Sequence, residues 1–363
     1  MAGYAVDPNA VKQFVQLTPA MKAFLPTLGF FAGLLSGFIG SGGAFVLTPG
    51  MMSVGVPGPM AVASNMCHKF PKALVGALKR HKYGHVDVLL GLIMGISAII
   101  GVQVGIVVQK WILHTWGEAG SNLYISAVFI LVLGLVGASV LRDAFRCKSE
   151  EEAPAQPEKR TEKLWAQRLN IPPMISFRTA KTRVSFWITV PLGFATGLLA
   201  ATIAVGGFIG VPAMIYILGA SGFVGTGTEL IIAFVMGLAG SLTWAMAGFV
   251  DLRIVLLILS GSLFGVQLGA IGTSFVKDWV IKLVMATVML IVMVSRVLMV
   301  PVYLKDLNLL ALGGTAAHYL DRTSFYIMLL SLLVSGVIIL GAMARGRRAE
   351  KTAAVGAPAR ASH

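Results

Sequence analysis

The stretch Gly29–Gly50, GFFAGLLSGFIGSGGAFVLTPG, is apolar enough for a membrane helix but is interrupted by Gly40-Ser41-Gly42-Gly43. Each glycine in a helix interior loses roughly 1 kcal/mol against alanine, so three within four residues predict a break. Hydrocarbon cannot bond the amides and carbonyls that a break releases. An interrupted membrane segment therefore persists only inside protein or beside a watery cavity. Composition makes the membrane the relevant solvent. The chain is 56% hydrophobic and 12% charged, with mean hydropathy +0.84, whereas a soluble domain carries about 25% charged residues.

A second interrupted segment follows, Gly193-Phe194-Ala195-Thr196-Gly197-Leu198-Leu199 and then Val205–Pro212. Two further landmarks recur. Gly84-His85-Val86-Asp87 returns as Gly248-Phe249-Val250-Asp251, and Gly101-Val102-Gln103-Val104-Gly105 returns as Gly265-Val266-Gln267-Leu268-Gly269. The offset is 164 residues, slipping to 163 between Gly43/Gly206 and Pro49/Pro212. Membrane composition produces chance matches of Gly, Val and Leu, but matched Asp and Gln at a fixed offset are much rarer. The chain reads as an internal repeat. Interrupted hydrophobic segments at corresponding places in two halves point to a transporter's binding site.

The sequence divides into an N-terminal arm (1–24), a first transmembrane repeat (25–141), a charged linker (142–185), a second repeat (186–300), a loop with one extra helix (301–344) and a basic tail (345–363). The expected fold is an all-α polytopic membrane protein with nine hydrophobic segments. The net charge of +14 does not indicate nucleic acid, because the basic residues fall in loops and tail, as the positive-inside rule expects. That rule places Lys79–His85, the linker and the tail in the cytoplasm. Single crossings at both interrupted segments give nine crossings, parallel repeats and an external tail. Re-entrant hairpins at both give seven crossings, an inverted repeat and a cytoplasmic tail. The hairpin scheme fits the charges better, although it leaves Arg296, Lys305 and Arg322 on the outside. Its two glycine tips meet near the midplane. The half-helices starting near Ala44 and Gly207 then point their positive ends into one space, which suits an anion.

At these residues the chain resembles the TauE/SafE family of membrane transporters, often described as sulfite exporters. The resemblance rests on the Gly-rich run ending in Pro49, on Ala61–Asn65, on Gly84–Asp87 and on their second-half copies, over roughly Leu28–Leu141 and Phe186–Val300. Ala44 stands where the family pattern has a last glycine, and the second copy keeps Gly206-Gly207 after Ala204. The resemblance implies transport of sulfur-containing or carboxylate-type anions, commonly outward and without ATP hydrolysis, in the cell membrane.

Candidate substrate-binding residues are Gly42, Gly43, Gly206 and Gly207 at the breaks. Ser64, Asn65, His68 and Lys69 lie in a segment unusually polar for a bilayer. Ser64, Asn65 and His68 would face the tip and Lys69 would attract the anion; alternatively the lysines lie near the cytoplasmic end and snorkel. Thr226 and Thr228, the second-half counterparts, can cap the helix and still line the site. Glu229 reads as a proton-coupling carboxylate, neutral when desolvated, or as an interfacial acid at a helix start. Gln103 and Gln267 either bind substrate oxygens or tie helices together, the latter favoured. Asp87 and Asp251 read as helix caps. Cys67 and Cys147 offer no disulfide framework and no metal spacing, no cofactor is implied, and no cleavable signal peptide is read at the N-terminus. No phosphate-binding G-x-x-x-x-G-K-[ST] motif and no nucleophile–base arrangement occurs, so an enzyme is not expected. The expected partners are a small anion and the lipid bilayer; a homo-oligomer is left open.

Overall fold

The computed structural model describes residues 15–39, 43–152, 171–273 and 276–356. Helix α1 (Pro19–Ile39) is followed by the short α2 (Ala44–Met52), then α3 (Gly58–Lys82) and α4 (Val88–Glu152). Gly117, at φ 66° and ψ −164°, divides α4 into two crossings. Strands β1 (Met174–Phe177) and β2 (Thr182–Ser185) form an antiparallel hairpin ahead of α5 (Phe186–Ile203). Next come α6 (Gly207–Pro212), which runs on as a π-helical turn over Ala213–Ile217, then α7 (Gly222–Met246), α8 (Leu252–Thr273), α9 (Asp278–Asp306) and α10 (Gly314–Gly356). Among the described residues, seven helices are long and apolar enough to cross a membrane: α1, α4, α5, α7, α8, α9 and α10. Helix α3 has a spanning length of 25 residues but carries His68, Lys69, Lys72 and a basic last turn.

Glycines set how the helices approach. In membranes, small residues let backbones come close, since lipid supplies no hydrophobic drive between helices. Gly29 and Gly33 of α1 lie directly against the backbones of Ile258 and Ser262 in α8, and Gly261, Gly265 and Gly269 answer against Pro26, Phe30 and Leu34. The second half repeats this contact with the roles exchanged. Gly193 and Gly197 of α5 lie against Met94 and Ala98 of α4, while Gly101 lies against Phe194. Each partner is displaced by the same 164 residues, Gly29 to Gly193 and Met94 to Ile258. The first helix of each repeat is thus packed on the other repeat.

The same contacts give direction. Numbering rises together along α1 and α8, and along α5 and the first part of α4, so those pairs run the same way. Helices α3 and α7 run oppositely: Gly76 meets Leu230, Phe70 meets Gly237 and Met66 meets Gly240. Helix α2 turns back along α1, with Gly43 against Ala32 and Gly50 against Leu28; α6 turns back along α5, with Gly206 and Gly210 against Thr196. The α1–α2 hairpin therefore opens toward the end of the bundle where α3 begins, and there Gly58 N donates to Asn122 Oδ1 at 2.8 Å. The α5–α6 hairpin opens toward the other end, where α3 finishes in Lys79, Arg80, His81 and Lys82.

Several expectations change. Helix α9 continues to Asp306 and α10 begins at Gly314, so residues 307–313 alone connect them, and the segment 301–344 read as a loop with one extra helix starts inside α9. Helix α10 runs through the basic segment to Gly356. The linker holds the β-hairpin, and Asp87 fastens it: Oδ2 accepts from Thr179 N and Ala180 N, both at 3.0 Å, while Oδ1 caps Leu90 N at 3.0 Å. Arg296, which the hairpin scheme leaves on the outside, is completely buried within α9.

Candidate functional site

The two half-helices start where the glycine breaks predict, at Ala44 and Gly207, behind Gly43 and Gly206; neither start has a side-chain cap. The starts meet. Phe45 of α2 and Phe208 of α6 pack with ring centroids 5.1 Å apart at 47°. They are equivalent residues at the offset of 163. Gly42 lies outside the described residues.

Two buried polar side chains reach these starts from equivalent positions, Asn65 on α3 and Glu229 on α7 (65 + 164 = 229). Asn65 Nδ2 donates to Ala44 O and to Thr48 Oγ1, each at 2.9 Å, and fixes α3 to the first turn of α2. Among the described residues its Oδ1 has no partner. Glu229 lies against the first turn of α6: a Cβ placed on Gly207 would be 3.0 Å from Oε1, and one on Gly210 would be 2.5 Å from Oε2. Glycine at both positions is what leaves room for the carboxyl group. Among the described residues neither Glu229 oxygen has a hydrogen-bond partner. A buried polar group left without a partner loses roughly 1–3 kcal/mol, so these three oxygens against the starts of α2 and α6 mark a place built for something besides stability.

The neighbours of this pair fall into two groups. Ser64 and Thr228 do not point at the tips. Thr228 Oγ1 accepts from Asp87 N at 3.0 Å, and Ser64 Oγ accepts from Asp251 N at 3.4 Å. Each holds the turn before a helix of the opposite repeat, one residue away from Glu229 or Asn65. One turn further along α3, His68 Nε2 is 2.8 Å from Ser262 Oγ and 3.0 Å from Lys72 Nζ, which also donates to Ser262 at 3.3 Å. Lys69 is half-buried and interacts electrostatically with Glu229. His68 and Lys72 thus meet Ser262 of α8 inside the bundle, while Lys69 is the neighbour of Glu229.

The remaining candidates lie elsewhere. Thr226 accepts from Arg80 Nη1 at 2.6 Å and braces α7 to the basic end of α3. Gln103 donates to Thr243 Oγ1 at 3.0 Å and ties α4 to α7, whereas Gln267 is exposed on α8. Ser262 was not singled out in the sequence; its signal is a hydroxyl set between the packing glycines of α8. Among the described residues, no group of three or more His, Cys, Asp or Glu is placed to hold a metal ion.

Residues 25–296 match the family model described as Sulfite exporter TauE/SafE, and the chain belongs to that family. It is similar to the probable membrane transporter protein YdhB of Bacillus subtilis (strain 168), 26% identical over 260 residues, 70% of this chain and 91% of YdhB. It is also similar to the probable membrane transporter proteins YunE and YjnA of the same organism. YunE is 24% identical over 277 residues, 74% of this chain and 94% of YunE. YjnA is 24% identical over 273 residues, 75% of this chain and 98% of YjnA. No solved structure matches the chain. The protein is a multi-pass membrane transporter, not an enzyme.

Proposed function

We propose that the protein carries a small anion of the sulfite or organosulfonate class across the cell membrane, outward, by alternating access around the meeting point of α2 and α6. The observation that carries this reading is the pairing of Asn65 with Glu229: repeat-related, buried, with unpartnered oxygens, against the starts of two half-helices in contact. Hairpins opening to opposite ends make an inverted repeat, the arrangement in which one site is exposed to each face in turn. The basic end, with Lys79–Lys82, is the cytoplasmic one, and α10 ends there.

Charge balance supplies the coupling. Lys69 interacts with Glu229. While Glu229 is ionised it holds that ammonium and repels an anion from the α6 start. When Glu229 takes a proton, Lys69 is released to pair with the substrate, and the positive end of α2 adds its attraction. The substrate and the proton therefore bind together. Asn65 holds the α2 start at the distance the anion needs.

The test is uptake of [35S]sulfite and of a labelled sulfonate into proteoliposomes, with counterflow as the diagnostic of a carrier. Saturable uptake with counterflow, lost in folded Asn65→Ala and Lys69→Gln, is the expected result. Saturable movement of small carboxylates in place of sulfur anions would move the substrate assignment. Flux without counterflow would make the protein a channel.

A further inference from the structure

Arg296 has a setting that transport through the hairpin tips does not use. It lies in α9, ten residues before that helix ends at Asp306, with no exposed surface. Its Nη2 donates to Ser53 Oγ at 2.6 Å, Ser295 Oγ at 3.1 Å and Ser324 Oγ at 3.3 Å. Those hydroxyls are themselves oriented. Ser53 donates to Pro49 O, Ser295 to Ser324 O and Ser324 to Ser295 O, each at 2.9 Å. All three serine oxygens are therefore turned to receive the guanidinium.

One nitrogen takes every partner. Nε and Nη1 are buried and, among the described residues, have none. These two atoms carry three N–H donors, on a side chain that stays charged in proteins. No carboxylate forms an ion pair with it among the described residues; Asp321, with which it interacts electrostatically, is exposed on α10. The C-terminal end of α2, reached through Ser53 and Pro49, offsets part of the charge but leaves the three donors unmatched. A buried charge in this condition is strongly unfavourable, and an anion would satisfy both the charge and the donors.

We propose that Arg296, held in place by Ser53, Ser295 and Ser324, forms a second anion site in which Nε and Nη1 take a small oxyanion of the sulfite or sulfate kind. It rests on the reading of the protein as an anion transporter. Helix α2 links the two sites: its start is at the tips, and its end at Ser53 is about 12–14 Å away at 1.5 Å per residue. The second site is a staging point between the tips and the end of the bundle to which α1–α2 opens. Arg296 is about 15 Å from the end of its helix, too deep and too enclosed for a phospholipid head group. In the arrangement described it is closed over, and the anion reaches it as α2 shifts against α9.

Equilibrium binding of sodium [35S]sulfite and sodium [35S]sulfate to the purified full chain in detergent tests this. The wild type is expected to bind two anions per chain. Folded Arg296→Gln keeps only the tip site, and Asn65→Ala keeps only the Arg296 site. Arg296→Lys, which preserves the charge with fewer and differently placed donors, weakens the second site at least tenfold and serves if Arg296→Gln does not fold. Wild-type stoichiometry and affinity in either Arg296 variant would overturn the proposal. A single site lost in Asn65→Ala alone would overturn it and leave the transport reading standing. A single site lost in the Arg296 variants alone would do the reverse. Binding of neither anion by the wild type would overturn both. Phospholipid that co-purifies with the wild type and is lost in Arg296→Gln, with sulfite binding unchanged, would assign the guanidinium to a lipid and overturn the proposal.

Discussion

Replacing Asn65 by Ala and by Asp separates the loss of its hydrogen bonds from the introduction of a carboxylate in their place. Asn65→Ala removes two hydrogen bonds, from Nδ2 to Ala44 O and to Thr48 Oγ1, both 2.9 Å and buried. Side-chain hydrogen bonds between membrane helices average about 0.6 kcal/mol and reach about 1.7, so the two together contribute about 1–3 kcal/mol. Asn65→Asp has nearly the same shape but a different consequence. Thr48 can rotate and donate to the new carboxylate, so one bond survives. Ala44 O cannot, and is left facing an oxygen where it had faced an amide. An unsatisfied buried acceptor adds about 1–3 kcal/mol, more if charged, which brings Asn65→Asp to about 2–5 kcal/mol. The order of stability is wild type, then Asn65→Ala, then Asn65→Asp. Unfolding by dodecyl sulfate titration in mixed micelles, followed by circular dichroism, measures it. Asn65→Asp as stable as the wild type would refute the placement of the amide against the start of α2.

Glu229→Gln keeps the shape and removes the titrating group; sulfite counterflow should persist while the response to a pH gradient disappears, and a retained response would place coupling elsewhere. Gly197→Val should not yield a monodisperse protein on size-exclusion, because its Cβ would lie 2.6 Å from Ala98 C and 2.7 Å from Ala98 Cα. Gly341→Ala, which has nothing within 4 Å of the new Cβ, should behave as wild type, and equal behaviour of the two variants would contradict the close α4–α5 contact. Asp87→Ala removes three hydrogen bonds, two of them from Thr179 and Ala180; amide exchange at those two residues should rise at least tenfold, and unchanged exchange would mean that the β-hairpin is held by other contacts.

The parts of the fold legible in the sequence were those written twice. The glycine breaks mark the starts of α2 and α6 because a helix weakens at glycine whatever its surroundings. The 164-residue offset brings Asn65 and Glu229 to matching places because equivalent helices pack alike. The reciprocal bonds of Ser64 and Thr228 to Asp251 and Asp87 were not legible. They join opposite repeats, and nothing local in either segment names its partner. Arg296 read as a charge on the outside because hydropathy registers a cation without the three serines that receive it. The β-hairpin was hidden in a polar linker, since four-residue strands carry too little alternation to stand out. Gln103 and Gln267 looked alike in sequence, yet Thr243 gives Gln103 a partner, while the equivalent of Thr243 in the first repeat is Lys79 (79 + 164 = 243).

Two hairpins opening to opposite ends and meeting at one site is the arrangement on which the proposed transport depends, and cysteine accessibility tests it directly. Gly55 lies in the exposed turn after α2 and Ser221 in the exposed turn before α7. Single cysteines at these positions, in a chain with Cys67 and Cys147 replaced by serine, would be probed in intact cells with a membrane-impermeant maleimide. Gly55→Cys should be labelled from outside, and Ser221→Cys only after the membrane is permeabilised. Labelling of both from the same side would contradict opposed hairpins, and with them a site open to each face in turn.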